Sequence, residues 1–220
     1  QKDQYFSVVE TSGYLEYLNN VIQGKVDVDS EAPKTIESQT RVAENARTFL
    51  RSHGMLPPNI STSTNNVRLF NETLNHPAEV DSFPNATLYQ VVFVQQIEGI
   101  PIYTQFGVPL DVSVWMTNTN IVKKVSFFYT QIVGGSEPVG LMTFDTVKQQ
   151  IESGNGDFYV FGEEGQLLDD TAVSTVKLDS IQLIYFDDRT TGYIHPYYLL
   201  KGTETINSYE VRVYLSAAQN

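Results

Sequence analysis

The sequence predicts an α+β protein built from two successive units, each a helix packed on an antiparallel β-sheet. Three observations lead there. A helical pattern followed by alternating strand patterns spans residues 30–133, and a shorter version spans 139–220. Tyrosine (13) and phenylalanine (12) are abundant, and aromatic and β-branched runs dominate the second half, as strands favour. With 41% hydrophobic and 18% charged residues, the 220-residue chain has the means to bury a core.

Residues 1–29 form a lead-in segment. Tyr5-Phe6-Ser7-Val8-Val9 has strand composition, while Tyr14, Leu15, Leu18 and Ile22 fall at helical spacing, which suggests a short helix or an irregular lead-in. The first strong element is a helix over 32–53. Ser30 is placed to cap it, and Pro33 suits its first turn. Ile36, Ala43, Ala46 and Leu50 make one apolar stripe, flanked by Val42 and Phe49, with Arg41, Glu44, Arg47 and Arg51 mostly opposite. Gly54 stops the helix, and Pro57-Pro58 prevents its continuation.

Residues 59–87 are polar, with a short strand near 67–70 and then a long loop. Three strands follow. The first, 88–97, is apolar on both sides at Val91-Val92-Phe93-Val94, as a central strand is. Glu98-Gly99-Ile100-Pro101 reads as a turn. Leu110, Val112, Val114 and Met116 then share one face of a strand, with Asp111, Ser113 and Trp115 on the other. After a hairpin turn at Thr117-Asn118-Thr119-Asn120, Ile121, Val125, Phe127 and Tyr129 line the return strand, interrupted by Lys123.

Gly134-Gly135-Ser136-Glu137-Pro138 marks the boundary between units. Thr143 caps the second helix, whose Phe144, Val147 and Ile151 stand at i, i+3 and i+7 before Gly154 ends it. Glu163-Glu164-Gly165 and Asp169-Asp170 form an acidic loop region. Three strands close the chain: 181–186, ending at an Asp187-Asp188 turn; 193–200; and 209–215. Pro196 cannot donate to a ladder, which predicts an edge strand or a bulge at 193–200. In the last strand Tyr209, Val211, Val213 and Leu215 alternate with Glu210, Arg212 and Tyr214.

These residues resemble a known family. A helix ending in Phe49-Leu50 and Gly54-Met55-Leu56-Pro57 precedes the run Tyr89-Gln90-Val91-Val92-Phe93-Val94-Gln95-Gln96-Ile97-Glu98-Gly99-Ile100-Pro101-Ile102-Tyr103. That order looks like the PepSY/FTP-type units of protease propeptides. Ile181-Gln182-Leu183-Ile184-Tyr185-Phe186 and Ile194-His195-Pro196-Tyr197-Tyr198-Leu199-Leu200-Lys201-Gly202 are similar to the close of such a unit. The tandem plan over 32–215 is most similar to the YycI and YycH type of extracytoplasmic regulators of a sensor kinase. The resemblance implies two cystatin-like units, no catalytic residues, and protein contacts made outside the cytoplasm. The long insert at 59–87 and the short second helix depart from the pattern.

The formal net charge is −12, so phosphate backbones and anionic membrane surfaces are poor partners. No cysteine is present, which removes disulfides, thiolate catalysis and cysteine-based zinc sites. No run approaches the ~20 apolar residues of a membrane span. A start at Gln1 leads to the expectation that a natural N-terminal signal or anchor has been removed. Sequons at Asn59, Asn71 and Asn85 mark a polar, exposed stretch, and a surface rich in Asn, Thr, Ser and Gln fits an exported protein.

Catalytic patterns are missing. His53, His76 and His195 form no HExxH and no close pair, so neither a metal site nor a cofactor is expected. Gly135-Ser136-Glu137 lacks the setting of a nucleophile elbow. Gly154-Asn155-Gly156 follows a helix, where the dipole has the wrong sign for phosphate. Glu163, Glu164, Asp169 and Asp170 read as solvated carboxylates, with weak calcium binding as the alternative reading.

Aromatic residues are the main functional material. Trp115, Tyr193, Tyr197, Tyr198 and Tyr214, with Tyr209 nearby, are the candidate binding residues; the competing reading packs them between the two units. The function expected is a non-catalytic, extracytoplasmic protein-interaction or regulatory module, whose partner is another protein, a membrane protein or a protease. Two alternatives stand beside it: a protease inhibitor or propeptide-type chaperone on the same fold, and a carbohydrate-active enzyme using the loop carboxylates.

Overall fold

A computed structural model describes residues 4–9, 14–19, 38–56, 60, 67–72, 77–104, 107–130, 132, 138–162, 166–168, 175–188 and 192–219. In chain order the elements are β1 (Gln4–Val9), β2 (Tyr14–Asn19), α1 (Gln39–Ser52), β3 (Val67–Glu72), β4 (Pro77–Glu79), β5 (Leu88–Val94), β6 (Gln96–Ile97), β7 (Ile100–Thr104), β8 (Asp111–Thr117), β9 (Val122–Phe128), α2 (Phe144–Glu152), β10 (Asp157–Phe161), β11 (Leu167–Leu168), β12 (Val176–Asp188), β13 (Tyr193–Glu204) and β14 (Glu210–Ser216). The fold is α+β and mostly β, with two sheets and two helices. One sheet has the order β1-β2-β9-β8-β5-β3-β4 and the other β11-β10-β14-β13-β12-β7-β6. Two compact units result, Gln1–Gly99 with Pro109–Ile132, and Ile100–Val108 with Val133–Asn220.

In the first unit every strand pairing is antiparallel. The segment expected to be helical or irregular at 14–19 is instead a strand, paired to both β1 and β9. Sheet pairing offers this backbone a ladder on both sides, which outweighs a four-residue apolar spacing. The first helix starts later than expected. Ser38, in extended conformation, is its cap, and its Oγ accepts from the Arg41 N–H. The proposed cap Ser30, together with Pro33 and Ile36, lies outside the described residues. Val42, Ala43, Ala46 and Leu50 are buried against the sheet. Gly54 ends the helix at φ +65°, a left-handed conformation that glycine adopts without steric cost.

The return strand carries a correction. Trp115 pairs with Lys124 but Met116 pairs with Val122, leaving Lys123 as an extra residue. This bulge shifts the side-chain alternation by one. Val122, Val125 and Phe127 therefore face the core, while Ile121, expected on that face, is 43% exposed. The Lys123 ammonium pairs with Glu72 at 2.7 Å.

In the second unit the sheet is mixed. β12 pairs antiparallel with β13 but parallel with β7, so an all-antiparallel sheet does not describe this unit. Ile100 and Pro101, read as the end of a turn, instead begin β7, because only Glu98 (φ 51°) and Gly99 (φ 85°) are needed to turn the chain. Two further strands, β10 and β11, escape the sequence patterns, and β12 is longer than the expected 181–186. β13, predicted at an edge or bulged at Pro196, is central, flanked by β12 and β14. Pro196 is tolerated because β14 ends beside it: its carbonyl accepts from the Ala217 N–H, just past the last residue of β14. The bulge lies elsewhere, at Leu178/Ser180 in β12. A side chain at Gly202 would collide with the Lys177 carbonyl there, so the close approach of the two strands requires glycine.

Thr143 caps α2 as expected, its Oγ accepting from Thr146 N–H. Of the expected stripe Val147 is buried and Ile151 half-buried, but Phe144 is 67% exposed. Residues 133–137, 163–165 and 169–174 lie outside the described residues, and with them the expected boundary and the acidic loops.

Candidate functional site

The expected binding residues do not form one surface. Trp115 belongs to the first unit, where it projects from the sheet face away from α1. It is half-buried, with its ring 5.1 Å from that of Phe70. Arg68 lies over the same Phe70 ring and makes an ion pair with Glu79. The tyrosines all belong to the second unit, where strand alternation separates them.

Tyr197 and Tyr214 share the sheet face away from α2. There a belt of rings crosses neighbouring strands: Phe186–Tyr197 at 4.9 Å, Phe186–Tyr214 at 6.3 Å and Tyr159–Tyr214 at 5.6 Å. Tyr214 is only 4% exposed, and its hydroxyl is buried near the Arg212 guanidinium. Gly107 packs against that hydroxyl. Desolvation drives the phenol up to about 12, and the nearby Arg212 guanidinium only partly offsets it. Burial raises Tyr103 and Tyr197 in the same way. These phenols are neutral packing groups at physiological pH. Arg212 spans the edge of the belt, 4.4 Å over the Phe161 ring and hydrogen-bonded to Glu210. Tyr193 is 69% exposed at the start of β13, near His195.

Tyr198 points to the opposite face, toward α2. Its hydroxyl donates to the Met142 carbonyl at 2.9 Å, which fastens the residue leading into the helix. Tyr209 also packs on this side, in the cluster built on Val147, Val160, Leu200, Val211, Val213 and Leu215.

On the α2 face the geometry opens a site that the sequence pattern does not reveal. A helix of nine residues rises roughly 14 Å. β12, with thirteen residues, runs roughly three times as far. The helix therefore leaves part of the face uncovered, and a groove of about 910 Å³ lies between α2 and β12. Val160, Leu200 and Val211 line it from the sheet, Phe144, Val147 and Ile151 from the helix, and Val176, Leu178 and Ile181 from β12. Two of these apolar residues stand out to solvent, Phe144 at 67% and Ile181 at 39%. The charged residues of the lining stand in exposed pairs, Lys148 with Glu152 on the helix and Asp179 with Lys177 on β12. The short helical pattern is visible in the sequence, but the full length of β12 is not, so the mismatch that opens the groove appears only in the structure.

No group of three or more acidic or histidine side chains is poised to hold a metal among the described residues. His53 caps α1, stacked on Phe49 with Nδ1 2.9 Å from the Phe49 carbonyl oxygen; His76 lies outside the described residues. Two of the buried polar side chains hold loop backbone. Gln95 bonds both the N–H and the carbonyl of Thr130, and Glu204 accepts from the N–H groups of Ile206 and Asn207. Glu163, Glu164, Asp169 and Asp170, considered for carbohydrate or calcium chemistry, lie outside the described residues. No helix among the described residues is long and apolar enough to cross a membrane. Comparison with protein-family models, curated proteins and solved structures finds no match for this chain.

Proposed function

We propose that this protein is a non-catalytic protein-interaction or regulatory module of two cystatin-like units, acting outside the cytoplasm, and that the α2–β12 groove is its principal binding surface. The observation that carries this reading is the exposure of Phe144 and Ile181 on an apolar concave surface. An aromatic and a branched aliphatic side chain beside a groove are the anchors that protein interfaces use, because each buries a large area with few rotors to order. The polar, Asn- and Thr-rich surface and the likeness to extracytoplasmic regulators support the location.

The test places a photo-crosslinking amino acid at Phe144 and, in a second variant, at Glu44 on the exposed side of α1. The expected outcome is a discrete crosslinked protein from Phe144 alone, lost when Ile181→Lys is added. The same products from both positions would overturn the reading.

A further inference from the structure

We propose that Asn155-Gly156, between α2 and β10, is a site of spontaneous modification: Asn155 closes on the Gly156 nitrogen to a succinimide, and water opens the ring to aspartate or isoaspartate, unfastening the C-terminal end of α2. The reaction does not depend on the function proposed above.

The chemistry needs only the chain and water. The Gly156 nitrogen gives up its proton and attacks the Asn155 Cγ. A new C–N bond forms, the bond to Nδ2 breaks, and ammonia leaves. Water then adds at either carbonyl of the ring. Opening at one gives aspartate; opening at the other carries the main chain through the side chain, as isoaspartate. A side chain on the following residue obstructs the closure, and of the fourteen asparagines in the chain only Asn155 is followed by glycine.

The structure separates Asn155 from other asparagines at the attacking atom. After Asn71, Asn85, Asn118, Asn120 and Asn207 the next N–H is already committed. Glu72 donates to Thr87 Oγ1, Ala86 to the Phe83 carbonyl, Thr119 and Ile121 to Thr117 Oγ1, and Ser208 to the Glu204 carbonyl. The residue after Asn45 lies inside α1. Among the described residues no group accepts from the Gly156 N–H. Asn155 and Gly156 are both exposed, and Gly154 (φ 78°) and Gly156 (φ 115°) leave both flanks without a side chain.

The same residue fastens the helix end. Asn155 donates twice to Gln150, from its N–H to the carbonyl at 3.0 Å and from Nδ2 to Oε1 at 2.6 Å. Aspartate lacks the second donor. It also puts a negative charge at the C-terminal end of the helix dipole, on a stretch that already carries exposed Glu152 and Asp157 and has no basic residue in the last turn. Isoaspartate lengthens the main chain where there is little room: even a Cβ on Gly156 would stand 3.1 Å from Val213 Cγ1 and 3.2 Å from the Tyr214 carbonyl oxygen. Ile151 Cδ1, 3.7 Å from that same point, belongs to a residue that lines the groove.

The test ages the purified full chain at mildly alkaline pH in water enriched in oxygen-18, which labels each hydrolysed ring, and follows the asparagines by peptide mapping. Asn155 is expected to convert at least tenfold faster than Asn207, to give more isoaspartate than aspartate, and to speed up as the pH rises. In denaturant the gap between Asn155 and Asn207 is expected to narrow, because the Ser208 nitrogen is set free. Amide exchange in the last turn of α2 should quicken in the aged protein and stay unchanged in Asn155→Gln aged beside it. Conversion at Asn155 no faster than at Asn207, or aspartate without isoaspartate, would overturn the ring closure. A gap that denaturant leaves intact would overturn the protection ascribed to the bonded N–H groups. Full conversion with unaltered exchange in α2 would overturn the unfastening of the helix.

Discussion

The first helix has fourteen residues and buries Val42, Ala43, Ala46 and Leu50 on its sheet, whereas the second has nine and buries only Val147. Both are properly capped, by Ser38 and Thr143, so local helix chemistry does not separate them. Length does. The first sheet's strands run to about seven residues, and a four-turn helix spans them; the second sheet contains strands of thirteen and twelve, which a helix of two and a half turns cannot cover. One unit thus closes a core under its helix, and the other keeps a groove beside its helix.

The largest effects should come from the closed unit. Leu50→Ala, at a fully buried position, is expected to destabilise by about 2–5 kcal/mol in chemical denaturation, with Val147→Ala costing less. Equal losses at the two helices would break the contrast. Gly202→Ala is expected to cost about 1–3 kcal/mol, because the new methyl meets backbone at the β12 bulge and no flexible side chain is there to yield. An unchanged denaturation midpoint for that variant would show that the bulge gives way.

Charge obeys the same contrast. In the first unit burial pushes the Asp111 carboxyl up to about 6 from its ordinary 3.8. A raised folded-state value means that the folded protein holds the proton more tightly than the unfolded chain. The stability from Asp111 is therefore fully present below about pH 4 and lost as the pH rises through about 6. Asp111→Asn should flatten that slope and raise stability at pH 7 by about 1 kcal/mol, a figure reduced for partial solvent screening. Denaturation midpoints of both proteins across this range check it, and a parallel slope in the two would remove Asp111 as the cause. In the second unit, Lys177 and Asp179 are exposed, and neutralising both should leave stability within about 0.5 kcal/mol.

The cap of the short helix comes next. Thr143→Ala should cost about 1 kcal/mol and loosen α2, read as faster amide exchange in its first turn. Smallest of all, Phe144→Ser should move stability by less than about 0.5 kcal/mol, since the ring is largely exposed, while abolishing partner capture. A large loss of stability there would mean that the ring serves the fold and not a partner.

Much of the architecture was legible from the chain. The α1 stripe, the Leu110, Val112, Val114 and Met116 face, the Thr117–Asn120 hairpin and the Thr143 cap follow from period and cap chemistry, which act within a few residues. The failures lie where one element answers to another. Ile121 loses its core place to Val122 because a bulge depends on the partner strand's register. Strand composition alone puts Tyr214 and Tyr198 among the same candidate binding residues, yet adjacent strands turn them to opposite faces, one with a buried hydroxyl and the other tied to Met142.

By itself the sequence determined the α+β class, the presence of two helices each followed by strands, most of the apolar faces and the acidic charge, because each is set by local periodicity or by composition; that β1 and β2 precede α1 in the first sheet was not among them. Only the tertiary structure decided that residues 100–104 would leave the neighbouring strand run to pair in parallel with β12, and that this pairing would stop after three residues. Register and edge exposure arise from contacts between residues far apart in the chain, and no local pattern encodes how far a strand extends beyond the helix that covers it.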